Sequence, residues 1–178
     1  MNILRFALVL FFIFGNVYAE AMNKTLNPIS APMSSYLTGP YGKLQSASFL
    51  GLALCMLLLI PLHAGLPWLI SLIVCAASII VVVATKWLML SQPSEAATLE
   101  RIHVISAGLA FVCATLAETD YFLHSPWLWL ALAAPISAVL WNRFAPQQTA
   151  LEEKSYALCV TASLVRITGI ALFSWLVL

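Results

Sequence analysis

WLISLIVCAASIIVVVATKWLML, residues 68–90, decides how the rest of this chain must be read. Lys86 is the only charged residue in the run, and it stands beside Trp87 near the end. An α-helix rises about 1.5 Å per residue, so about 20 apolar residues cross the roughly 30 Å hydrocarbon core of a bilayer. The run is long enough to do this. Its single Lys–Trp pair falls where interface anchors belong. In lipid no water is present to satisfy backbone N–H and C=O groups, so a spanning segment of this kind must be helical.

Working outward from it, comparable apolar runs occupy residues 3–18, 44–63, 102–122, 127–144 and 156–178. Residues 64–67, Ala-Gly-Leu-Pro, close the second run by a turn. Pro126 opens the fifth run and Pro135 interrupts it, removing a backbone donor and kinking the helix. The pattern predicts an all-α, polytopic transmembrane bundle of about six helices. Composition agrees. Of the 178 residues, 62% are hydrophobic and 8% charged, with a mean hydropathy of +0.98. A soluble domain carries roughly 25% charged residues, and this chain could not cover a soluble core. The formal net charge of +1, with no clustered basic face, excludes nucleic acid as a partner and leaves no polybasic patch for anionic lipid.

The chain divides into residues 1–19, a signal peptide or first transmembrane helix; residues 20–43, a polar loop; and residues 44–178, the bundle. Arg5 followed by apolar residues 6–14, with Val17-Tyr18-Ala19 before Glu20, has the pattern of a signal sequence and its cleavage site. Pro28, Pro32, Gly39, Pro40 and Gly42 make residues 20–43 rich in turns. Residues 91–101 and 145–155 read as shorter polar connectors on the same membrane face. That face carries Lys24, Lys43, Lys86, Arg101, Arg143 and Lys154, and the opposite face only Arg5. The excess of Lys and Arg would make the loop-rich face cytoplasmic, whereas the signal-like N-terminus would place it outside. Cys55, Cys75, Cys113 and Cys159 all lie in apolar runs without ligand spacing and are expected to pack as small hydrophobes.

Two stretches carry a resemblance. NPISAPMSSYLTGPYGKLQSASFLGLAL, residues 27–54, and ERIHVISAGLAF, residues 100–111, resemble the bacterial and archaeal membrane family catalogued as domain of unknown function 998. His103 matches the histidine that opens the fourth helix of that family. Glu153-Lys154 stands where the family has a Glu-Arg pair at the start of its last helix, with Lys replacing Arg and without the usual preceding glycines. Gln92-Pro93-Ser94-Glu95 is a loose counterpart of an acidic, Pro-containing turn. The resemblance implies about six helices, an N-terminus inside and hence a loop-rich face outside, in a bacterial inner membrane. It implies no activity.

Three groups of residues could carry chemistry. The first gathers Ser34, Ser35, Tyr36, Glu100, Arg101, His103, Glu153 and Lys154 at helix starts and in the long loop. Glu100 and His103 are i, i+3 neighbours on one helical face. A carboxylate beside an imidazole fixes its tautomer, which suits a base, a metal ligand or an anion site. The bland alternative is polar helix ends at an interface. The second is Arg166, deep in the last run, where a charge costs about 2.5–3.5 kcal/mol on insertion scales and normally faces a partner; it could instead snorkel. The third is Glu118, Asp120 and His124 with His63, which could bind a metal or haem but match no strong motif. No P-loop, dinucleotide fingerprint, nucleophile elbow or HExxH is present.

These readings predict a membrane protein that holds a lipid, another hydrophobic ligand or a membrane-protein partner, or forms a homo-oligomer. The site candidates are Ser35, Tyr36, Glu100, His103, Glu153, Lys154 and Arg166, with no cofactor assigned. The alternatives are an enzyme acting on lipid or envelope precursors through His103 and Glu100, and a haem-binding redox subunit.

Overall fold

A computed structural model describes residues 2–23, 26, 33–60 and 65–122. The spans expected at 127–144 and 156–178, and with them Glu153, Lys154 and Arg166, lie outside the described residues. All regular structure among the described residues is helical. Four long helices follow one another: α1, Asn2–Met22; α2, Gly42–Leu59; α3, Leu66–Ser91; and α4, Ala96–Phe122. Short 3-10 turns at Met33–Thr38 and Pro93–Glu95 precede α2 and α4. Among the described residues, four segments are long and apolar enough to cross a membrane: Ile3–Met22, Gly42–Leu59, Leu66–Ser91 and Pro93–Ala114.

The helices outrun the apolar stretches. Residues 91–101, expected as a connector, are mostly helical: α3 ends at Ser91 and α4 begins at Ala96. The sequence Ala-Ala-Thr-Leu-Glu-Arg at 96–101 is rich in good helix formers, so the helix continues past the apolar boundary. Likewise α1 carries on to Met22, into the segment expected as loop. At the other end of α3, Pro67 sits in the first turn, where a missing N–H costs nothing.

The four helices pack in chain order, α1 on α2, α2 on α3 and α3 on α4. Their shared core takes Val9 and Phe12 from α1, Leu52, Cys55 and Met56 from α2, Leu72, Cys75 and Ile79 from α3, and Ala110, Cys113 and Ala114 from α4. The opposite face of α4 exposes Ile105, Leu109, Val112 and Leu116, an apolar surface suited to lipid tails. Lipid supplies no hydrophobic drive between helices, so close contact and polar pairs must hold them. Small residues permit that contact. The Cys75 thiol donates to the Ala110 carbonyl at 3.4 Å, and that of Cys55 to the Arg5 carbonyl at 3.7 Å. These three described cysteines are buried and free, as expected of small hydrophobes; Cys159 lies outside the described residues.

Gly15 brings α1 against Ser48 of α2, where a Cβ would stand 2.6 Å from the Ser48 Cβ. Gly42 turns the chain from the 3-10 turn into α2, and a Cβ there would enter the Leu37 carbonyl. A buried polar pin joins the same three pieces. Asn16 donates to the Phe12 carbonyl at 2.7 Å and accepts from Gln45 Nε2 at 2.9 Å. The same Gln45 amide donates to the Met33 carbonyl at 2.9 Å, fastening the 3-10 turn to α1 and α2.

Candidate functional site

The 3-10 turn Met33–Thr38 lies against α1, α2 and α3 at the end of the bundle where α3 finishes and α4 starts. Loop and connector share one end, as alternating spans require. Three elements meet there around His103, whose side chain is buried. The ring Nδ1 lies 3.1 Å from the Val82 carbonyl and 3.1 Å from Thr85 Oγ1. Nε2 lies 2.9 Å from Ser34 Oγ.

These partners assign the tautomer. The Val82 carbonyl can only accept. The Thr85 hydroxyl proton is directed at helix carbonyls, Val81 at 2.8 Å and Val82 at 3.1 Å, which leaves its lone pairs toward the ring. Both neighbours of Nδ1 are therefore acceptors, and in the neutral ring Nδ1 carries the hydrogen. Nε2 then presents a lone pair, and Ser34 donates its hydroxyl proton to it.

Glu100 does not orient the imidazole. Its carboxylate closes on Lys86 Nζ of α3 at 3.1 Å. The i, i+3 spacing is real, but a cation on the neighbouring helix takes the carboxylate, and a backbone carbonyl fills the orienting role. One turn away, Trp87 Nε1 donates to Ser46 Oγ at 2.9 Å, tying α3 to α2 at the same level. Arg101 is exposed. Ser35 is half-buried on the same 3-10 turn as Ser34. The Tyr36 ring is buried with Ala19 and packs against Leu26 and Tyr41.

Ser34, Glu100 and His103 thus come together in one small region with Lys86 and with Thr85 and the Val82 carbonyl, the last two of which the sequence reading passed over. Threonine in an apolar run reads as span filler, and a backbone carbonyl has no sequence signature. Lys86 was read as an interface anchor, a role consistent with its place here. His63 and His124, and the side chains of Glu118 and Asp120, lie outside the described residues. Among the described residues no three His, Cys, Asp or Glu side chains converge as a metal site would need.

Among the described residues, fold and site define a helical chain with four candidate membrane spans and a polar cluster where the end of α3 meets the start of α4. No family model, curated protein or solved structure matches it.

Proposed function

We propose that the protein is a multi-pass component of a bacterial inner membrane that binds a lipid or similar amphiphile, with the polar part of that molecule at the His103 end of the bundle. The observation that supports this reading is the position of the Ser34–His103–Thr85 cluster, in which His103 and Thr85 are buried and Ser34 is half-buried. It lies at the end of helices whose outer faces, such as Ile105, Leu109 and Val112 on α4, are apolar and exposed. An amphiphile needs these two surfaces together: a wall for acyl chains and polar groups at one depth.

The depth is appropriate. The 26 residues of α3 make a helix of about 39 Å, about 9 Å longer than a typical hydrocarbon core. Lys86, five residues before the end of α3, pairs with Glu100, and a charged pair of this kind suits the place where that helix would leave the apolar layer. Thr85 and His103 sit beside this level.

The reading is tested by purifying the full chain in a mild detergent and measuring bound lipid by native mass spectrometry. Lipid retained at fixed stoichiometry, and weakened in His103→Leu, is the expected result. A protein that carries no lipid, or that carries it equally in the variant, contradicts the reading.

A further inference from the structure

We propose that Ser34 and His103 are a nucleophile and general base that cleave the carboxylic ester of a membrane amphiphile. The inference rests on the amphiphile-binding reading and adds a reaction to it. A serine hydroxyl is a weak nucleophile until a base accepts its proton, and that base must be held in the correct tautomer by a third group. All three parts are present. Ser34 Oγ is 2.9 Å from His103 Nε2, within the range for a nucleophile–base hydrogen bond. Nε2 is the unprotonated nitrogen because the Val82 carbonyl and Thr85 hydroxyl occupy Nδ1. Here a helix carbonyl fixes the tautomer and orientation of the ring, as a carboxylate does in a Ser-His-Asp arrangement, without adding its negative charge.

Placement favours an ester held in a membrane. His103 is buried, so its lone pair is directed at Ser34 rather than dispersed into water, while Ser34 is only partly buried on a short 3-10 turn. The pair lies one residue from Lys86 through Thr85, close to the Lys86–Glu100 ion pair, and charged pairs of this kind belong near the polar boundary of a bilayer, where the ester groups of an amphiphile lie.

The chemistry balances with water as the only co-reactant. Ser34 Oγ attacks the ester carbonyl carbon as its proton passes to His103 Nε2. The tetrahedral adduct collapses, the carbon–oxygen bond to the alcohol breaks, and His103 returns the proton to the departing alkoxide. An acyl-Ser34 ester remains. Water, deprotonated by Nε2, then attacks that ester and releases the fatty acid, and the proton returns to Ser34 Oγ. Thr85 is a positioning residue that touches only the imidazole.

The test uses the purified full chain and a fluorophosphonate probe, which forms a covalent bond with an activated serine. Peptide mass spectrometry is expected to find the adduct on Ser34. Labelling should be lost in Ser34→Ala, slowed at least about 100-fold in His103→Gln, and kept in Ser35→Ala. Vesicles of phosphatidylethanolamine and phosphatidylglycerol should release fatty acid with wild type and not with Ser34→Ala. Ser34→Ala removes a single oxygen, so it guards against an unfolded variant being misread. Bound lipid without labelling or fatty acid release would overturn the ester-cleavage proposal and leave the binding reading standing, with Ser34–His103 acting as a structural clasp. Loss of lipid binding, labelling and release together would overturn both.

Discussion

Asn16 and Gln45 show what a polar residue does in a span. Each is fully buried, and the hydrogen bond between them joins α1 to α2. Interhelical hydrogen bonds in membranes average about 0.6 kcal/mol and reach about 1–2 kcal/mol. Asn16→Ala is therefore expected to destabilise the folded protein by about 1 kcal/mol. Gln45 Nε2 keeps the Met33 carbonyl, so the loss should be partial, and unfolding in mixed micelles followed by circular dichroism would register it. This pair, unlike His103, was invisible to the sequence reading, because single amides inside apolar runs look like tolerated exceptions. His103 and Ser34 stood out as polar residues beside spans, but the link between them crosses 69 positions. Glu100 was legible as a neighbour of His103 on its own helix. Its capture by Lys86 depends on how α3 and α4 pack, which no local spacing encodes.

Among the elements, the apolar cores of all four described helices were legible, and their ends were not. Hydropathy reports where lipid is, whereas helix length follows propensity and capping as well, so α4 starts six residues before the apolar run that announced it. The 3-10 turn Met33–Thr38 was read only as part of a Pro- and Gly-rich loop, and Gly42 explains its course. With Leu37 carbonyl in the space of a Cβ, Gly42→Ala is expected to shift the turn and to cost roughly 1–3 kcal/mol, as overpacking does. Because Ser34 rides on that turn, the variant should also slow fluorophosphonate labelling. Gly15→Leu should part α1 from α2 at Ser48 and lower thermal stability by a similar amount, with the α3–α4 contact intact. A thermal shift in detergent measures the loss, and fluorophosphonate labelling distinguishes it from Gly42→Ala, since labelling of Ser34 should fall further in the latter.

For the described residues, the account depends on one arrangement: residues 33–43 and the α3–α4 connector at the same end of the bundle, with the last turn of α2 and the first turn of α3 at the other. The hydrogen bond from Ser34 to His103 and the Lys86–Glu100 pair both require it. The two sequence signals for orientation, excess Lys and Arg against a signal-like start, disagree only about which side that end faces. Single cysteines at Lys43, Gly65 and Gln92, all exposed, in a chain whose native cysteines are replaced by alanine, can be labelled with a membrane-impermeant maleimide in intact spheroplasts and in inverted vesicles. The account predicts that 43 and 92 label from one side and 65 only from the other, whichever side that is. Labelling of 43 and 92 from opposite sides, or of all three from the same side, would contradict it.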